Sequence, residues 1–408
     1  MTNESIIKPA VRTDNIKYAV RDIVVLAKKV AETGKEMLYL NIGDPNQFDF
    51  ETPPHMVEAI HDALKSNYNG YSPSSGIPEA VEAITKEARR KGIDNIQDVF
   101  VTTGASEAIE ICLTALANEG DNVLTPSPGY PLYQAVLAKL QVVENAYYLD
   151  EENAWQPDLD DIKKKINDRT RGIVLINPNN PTGSVCKEET MRGIIELAHE
   201  HNLVIFCDEI YDKLILDDKP HVSLASMDNE IPVVTFNGIS KSYLGPGLRI
   251  GWGVVSGKRS RMADYIEGIN KILRARLCAN HPIQFCIKPA LEGDQSHLKV
   301  VLEKLRRRRD ITTDMLNDIP GISCVKPEGA FYAFPRVHIE QSDELFVKEL
   351  ITETGVVVVP GTGFGQVPGT QHFRVVFLPT EDVLEKSYRN IGKFFEKFTA
   401  EHAAVAAK

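Results

Sequence analysis

Apolar residues along this chain recur as short unbroken runs, at 99–102, 122–125, 171–176, 203–207 and 232–236, separated by longer stretches with helical spacing. A strand that is apolar on both faces is buried on both faces, so these runs predict a mostly parallel sheet sandwiched between helices. The crossovers should be right-handed. Before the rhythm begins, 1–17 reads as a loose arm. A helix is predicted over 18–33, with Val20, Ile23, Val24, Ala27 and Val30 on one side and Gly34 as its stop. A short strand at 38–42 runs into the turn Gly43-Asp44-Pro45-Asn46, and further helices begin at Pro53-Pro54, Pro78 and Gly104. After Gly253 the rhythm breaks. Long helices are predicted over 261–277 and 296–316, then strands at 322–325, 330–334, 356–359 and 373–377 alternating with helices. The alanine-rich tail at 400–407 reads as frayed, and Gly361-x-Gly363-x-Gly365 as a flexible loop.

The pattern therefore predicts an α/β fold: a large domain with a mostly parallel sheet between helices, plus a smaller α+β C-terminal domain. The expected divisions are 1–45 (an arm and helix packing with the small domain), 46–290 (large) and 291–408 (small).

Composition narrows what such a fold can do. The 408 residues carry a net charge of −11, which argues against nucleic-acid or anionic-membrane partners. No apolar run approaches the ~18 residues of a membrane span, and 1–15 has no signal-peptide core. Six scattered cysteines without C-x-x-C spacing read as reduced core residues of a cytoplasmic protein. His199 and His201 make a poor metal site, and no metal is expected. Arg306 to Arg309 read as a solvated face or as interface salt bridges.

Ligands of a parallel sheet bind beyond the carboxyl ends of its strands. Ser106, Tyr130, Asn180, Asp208, Tyr211 and Lys241 all follow such ends. Each has a bland reading: helix cap, turn residue, surface acid, snorkelling lysine. Their coincidence at successive strand ends favours a site. Lys241 follows an apolar strand, where burial favours a nucleophilic amine suited to Schiff-base chemistry. An electron-sink cofactor such as pyridoxal 5′-phosphate needs such a lysine, and the chain offers every other part. Asp208 can pair with a ring nitrogen, and Tyr130 can stack on the ring. Gly104, Ala105 and Ser106 at a helix start, with Ser240 and Arg249, can hold a phosphate. Asn180 and Tyr211 can donate to a phenolic oxygen.

Asn179-Asn180-Pro181-Thr182-Gly183, Asp208-Glu209-Ile210-Tyr211, Ser240-Lys241 and Gly247-Leu248-Arg249-Ile250-Gly251 together resemble the class I and II pyridoxal-phosphate aminotransferases of fold type I. The resemblance implies that Lys241 is the Schiff-base lysine and proton shuttle, and that Arg374 in Phe373-Arg374-Val375-Val376 grips the substrate α-carboxylate, which the Gly43 backbone also touches. It implies a homodimer with shared active sites, Tyr71 reaching the phosphate of the neighbouring subunit. Two positions depart from the pattern. Gly238 stands where serine is frequent, three residues before the lysine, and Tyr130 replaces a stacking tryptophan.

Asn41-Ile42-Gly43-Asp44-Pro45, Asp158-Leu159-Asp160-Asp161-Ile162, Thr235-Phe236-Asn237-Gly238, Arg276-Leu277-Cys278-Ala279-Asn280 and Ile319-Pro320-Gly321-Ile322-Ser323 resemble the alanine (glutamate–pyruvate) aminotransferases of bacteria and archaea. The implied reaction moves the amino group between L-alanine and 2-oxoglutarate by a ping-pong route, with small amino acids and 2-oxo acids as partners. Aminotransfer from other donors (aspartate or aromatic) and C–S β-lysis remain alternatives. An effector-binding half of a regulator would need a basic DNA-binding segment, for which the chain has no room. Tyr18 and Arg21 resemble an N-terminal Tyr-x-x-Arg that lies over the active site, so Arg21 is the first candidate to bind the second carboxylate of 2-oxoglutarate. Arg274 and Arg276 are the next, and a surface role for Arg21 stays open.

Overall fold

The apolar runs become strands of one eight-stranded sheet, four of them side by side and the run at 99–102 separated from those by Gly251–Ser256. In the computed structural model of the protein, residues 7–16 and 19–406 are described, residues 19–22 and 403–406 by their backbone; Tyr18 lies outside them. Across the sheet the strands run Ile96–Thr102, Gly251–Ser256, Val233–Gly238, Val204–Asp208, Thr170–Ile176, Asn122–Ser127, Val143–Asp150 and Gln156–Pro157. The pairings from Val233–Gly238 through to Val143–Asp150 are parallel, and the three others are antiparallel. Every residue of Asn122–Ser127, Val204–Asp208 and Val233–Gly238 is buried, as unbroken apolar runs require.

Alternate residues feed different cores. Ile173, Leu175, Ile205, Cys207 and Val233 pack on one face with Ala80, Ile84 and Ile194 from helices Pro78–Arg90 and Glu188–Glu200. Val174, Phe206, Val234 and Phe236 pack on the other with Ile109, Leu137 and Ile269 from Ala105–Leu116, Pro131–Leu140 and Ala263–Ala275.

Three strands escaped the pattern, Gly251–Ser256, Val143–Asp150 and the two-residue Gln156–Pro157. Gly251–Ser256 lies within the glycine-rich stretch, where small residues hide it. A Cβ at Gly253 would strike the Phe100 ring, and one at Gly251 would strike the backbone of Gly104 and Ala105. Val143–Asp150 lies beside the edge, with only two of its eight residues buried, so it lacks the apolar run.

The C-terminal part gathers around helices Ser296–Asn317, Asp343–Thr354 and Glu381–Ala406. Its strands are shorter than predicted: Ile322–Ser323, Tyr332–Ala333, Val356–Val357, Val359–Pro360 and Phe373–Val376. The predicted N-terminal helix is observed over Ala19–Ala31. It buries Ile23, Ala27 and Val30 in the same core as Phe346, Val356 and Phe394. Val24 points away, 47% exposed, because it lies a third of a turn from Ile23. Leu38–Tyr39 pairs in parallel with Val356–Val357, tying the start of the chain to its end.

Three expectations are corrected. The tail at 400–406 is not frayed; it continues helix Glu381–Ala406. Arg308 and Arg309 are buried rather than solvated. Arg308 forks onto Asp49 with two 2.8 Å bonds, which hold that carboxyl at about 2, and Arg309 pairs with Asp217 at 2.7 Å. Gly361–Phe364 is a 3₁₀ turn, not a free loop, and its Phe364 is buried. All six cysteines are unpaired. Among the described residues no helix is long and apolar enough to cross a membrane.

Candidate active site

A cleft of about 310 Å³ opens beyond the carboxyl ends of the parallel strands. Gly43, Ala105, Ser106, Tyr130, Asn180, Asp208, Tyr211, Ser240, Lys241, Arg249 and Arg374 all line it, as do Asn41, Tyr332 and Phe364, which the sequence reading missed.

At one end lies helix Ala105–Leu116. Its N-cap, Gly104, has φ +78°, and a Cβ there would strike the Arg249 guanidinium. Arg249 itself is left-handed (φ +53°) and donates to Ser106 Oγ at 3.2 Å. Backbone N–H groups, two hydroxyls (Ser106 and Ser240) and a cation thus converge where the Gly104 and Gly251 side chains are missing. Such a cradle suits a phosphate.

At the other end Asp208, 4% exposed, closes strand Val204–Asp208. Its Oδ2 accepts from Tyr133 and its Oδ1 from the Ile210 amide, both at 3.3 Å. Burial pushes its carboxyl up to about 6, against which these neutral donors and the Lys241 charge only partly work. A protonated ring nitrogen would supply the cation this carboxylate lacks. Glu209, next in sequence, points to the opposite side, where Ser223 Oγ (2.6 Å) and Lys91 Nζ (3.4 Å) donate to it. Lys91 also pairs with buried Asp212; although burial pushes Asp212 up, Lys91 and Lys213 bring it to about 2. The Asp208–Tyr211 turn is therefore anchored from behind.

Between the ends, Lys241 Nζ donates to Gly43 O at 2.8 Å. Buried Tyr211 meets the Tyr332 hydroxyl at 3.0 Å, and burial pushes Tyr211 well up, so its proton stays available for donation. Arg374, 5% exposed, donates to Asn180 Oδ1 at 3.2 Å and to Asn41 O at 2.8 Å. Its guanidinium carbon lies over the rings of both Tyr332 (4.8 Å) and Phe364 (4.5 Å).

Several candidates lie elsewhere. Tyr71 is 82% exposed on its loop and does not line this cleft. Arg276 is committed to Ser74 O (3.2 Å) and Val101 O (2.6 Å), and Arg274 pairs with Glu267 at 2.7 Å; neither lines the cleft. The Arg21 backbone belongs to helix Ala19–Ala31, and Tyr18 lies outside the described residues.

The raised carboxyl of Asp208 has a measurable consequence. The folded value exceeds the ordinary one of 3.8, so the folded chain holds the extra proton. Its desolvation penalty is absent below about pH 4, grows as pH rises to about 6, and is full above that. Without cofactor, Asp208→Asn should therefore lose the part of the decline in Tm that the parent shows between about pH 4 and about pH 6. Parallel melting curves that keep the same slope in both proteins would refute this.

The cleft thus suits a flat ligand with a phosphate at one end and a protonated ring nitrogen at the other, beside a lysine and a carboxylate-binding arginine. Known proteins agree. The family model for aminotransferases of class I and II matches residues 35–391. The glutamate-pyruvate aminotransferase AlaA of Escherichia coli K12 is 39% identical over 402 residues, covering 96% of this chain and 98% of that protein. The alanine aminotransferase of Mycobacterium tuberculosis H37Rv is 41% identical over 381 residues, covering 91% and 88%. The solved alanine aminotransferase from Pyrococcus furiosus superposes with a TM-score of 0.92 at 38% identity, covering 96% of this chain and 100% of that one. The chain belongs to the class I and II aminotransferases.

Proposed function

We propose that this aminotransferase moves the amino group between L-alanine and 2-oxoglutarate, giving pyruvate and L-glutamate. The cofactor of the family is pyridoxal 5′-phosphate. The observation that carries the assignment is the cleft itself. A buried acid with only neutral hydrogen-bond donors, a Cβ-free cradle at a helix start and a lysine between them fit this cofactor's ring nitrogen, phosphate and aldehyde. When bound, pyridoxal phosphate accepts the electron pair left on Cα and stores the amino group between half-reactions. Ser106, Ser240 and Arg249 hold its phosphate, Asp208 keeps its ring nitrogen protonated, Tyr130 stacks, and Asn180 and Tyr211 donate to its phenolic oxygen. Lys241 Nζ would take the Cα proton of the incoming amino acid and deliver it, within the same half-reaction, to the carbon that carried the cofactor's aldehyde; the opposite half-reaction would reverse the transfer. Arg374 binds the α-carboxylate as a planar fork, while Tyr332 and Phe364 exclude water around it. Asp208, Tyr211 and Lys241 are thus the catalytic set.

Alanine specificity is supported by relatives named for it across nearly the whole chain. Purified enzyme given L-alanine and 2-oxoglutarate should form pyruvate and glutamate one for one. Ammonia release instead would favour a lyase.

The same pocket must accept a methyl group and a carboxyethyl group. A fixed arginine facing it would be left unpaired by alanine, which is costly, so a closing element is the economical answer. We assign this to Arg21 with Tyr18. Arg21→Ala should raise KM for 2-oxoglutarate and glutamate while sparing alanine and pyruvate. Equal effects on both half-reactions would make Arg21 a surface residue.

A homodimer is supported by Tyr71, exposed and off its own cleft, which could then reach the phosphate site of a second copy. The bodies at 46–290 and 291–408, with 1–45 packed on the latter, are assigned as its domains. Six unpaired cysteines fit a cytoplasmic setting.

A further inference from the structure

We propose that Tyr332 is a positioning residue that serves the bound cofactor and the substrate carboxylate at once. Its hydroxyl aims Tyr211 at the cofactor's phenolic oxygen, and its ring holds the Arg374 guanidinium flat for the carboxylate. The inference rests on the roles given above to Tyr211 and Arg374.

Strand register sets up the first contact. Tyr332 sits opposite Val376 in the antiparallel pair of Tyr332–Ala333 with Phe373–Val376. Arg374, two residues before Val376, is its diagonal neighbour on the same face. The guanidinium carbon then lies 4.8 Å from the Tyr332 ring centre and 4.5 Å from that of Phe364. Two ring faces this close limit how the guanidinium can turn, so its fork is oriented before substrate arrives.

The hydroxyl makes the second contact, 3.0 Å from the Tyr211 hydroxyl. With Tyr332 as donor, the Tyr211 proton is free for an acceptor in the cleft. Accepting a hydrogen bond also polarises the Tyr211 O–H. The two rings stand at 89°, so the contact runs through the hydroxyls and not through stacking.

Gly43 completes the arrangement. A Cβ there would overlap the Tyr332 hydroxyl, so the missing side chain is what admits it. The Gly43 carbonyl is also the acceptor for Lys241 Nζ. Tyr332, 2% exposed, therefore touches the cofactor donor, the carboxylate arginine and the backbone that seats the lysine.

The two roles separate by mutation. Holoenzymes with Tyr332→Phe and Tyr332→Leu are compared with Tyr211→Phe and Arg374→Ala. The readouts are the pH titration of the bound cofactor's visible absorbance and the split between KM and kcat for L-alanine. Tyr332→Phe keeps the ring and loses the hydroxyl. Its titration midpoint should move in the same direction as that of Tyr211→Phe, but less, with KM within about twofold of the parent. Tyr332→Leu should show the same spectral shift and a KM raised by about 3- to 30-fold. If the leucine variant does not fold, the phenylalanine variant decides by its titration. An unmoved titration in Tyr332→Phe, while Tyr211→Phe shifts, overturns the proposal. So does an unchanged KM in a folded Tyr332→Leu. If instead Tyr211→Phe leaves the titration unmoved and Arg374→Ala leaves KM unchanged, the roles of those two residues fall, and this inference with them.

Discussion

Lys241→Ala is expected to lose nearly all transamination while still binding pyridoxal phosphate. The lysine is the group assigned to move the Cα proton, and removing a general acid–base alone costs ~10²–10⁴-fold in rate. Losing the amine that forms and releases the Schiff base adds to this. Binding should persist because the cradle of Gly104, Ser106 and Arg249 and the acid Asp208 sit on other elements, none of which depends on the Lys241 side chain. The structure also says what is left behind. Gly43 O loses its donor, but it borders an open cleft and water can replace the ammonium. The variant should therefore stay folded. Borohydride reduction of the parent with bound cofactor, followed by peptide mapping, should place the label on Lys241. A label on any other lysine overturns the assignment.

Arg374→Ala should cost at least ~10- to 150-fold in kcat/KM, because a charged hydrogen-bonded pair contributes ~1.5–3 kcal/mol. The loss should be similar for alanine, glutamate and their 2-oxo acids, since all carry the α-carboxylate. A loss confined to the dicarboxylic pair would refute the role. Stability should suffer too, because Asn180 Oδ1 and Asn41 O both lose a buried donor. A melting curve alongside the kinetics keeps the two effects apart.

Much of the sheet and of the site was legible because both follow from local rules. Short continuous apolar runs bounded by turn residues read as doubly covered strands, and where such strands are parallel the polar residues after them gather at one edge. Lys241, Asp208, Asn180 and Arg374 were found this way or by resemblance. What stayed hidden depends on register and distant packing. Tyr133 sits in helix Pro131–Leu140 at a core position, and only the fold brings its hydroxyl to Asp208. Tyr332 reads as one more aromatic in a strand until Val376 is set opposite it. Phe364 was masked by three glycines that read as a loop. Arg308 and Arg309 fell within a run of four arginines. Their partners Asp49 and Asp217 lie 259 and 92 residues away, beyond any periodicity argument.

The segment between Leu38 and Gly43 carries a consequence for how the enzyme comes into being. Within six residues it pairs with Val356–Val357, lends Asn41 O to Arg374 across 333 positions, and lends Gly43 O to Lys241 across 198. On the ribosome this stretch is made early and then waits. Its partners emerge only when most of the chain has been synthesised, and closing so long a loop is slow. A nascent chain that has completed the entire eight-stranded sheet still lacks the arginine and the strand that seat its own N-terminal segment. The enzyme should therefore acquire activity late and all at once, when its last quarter folds back to meet its beginning.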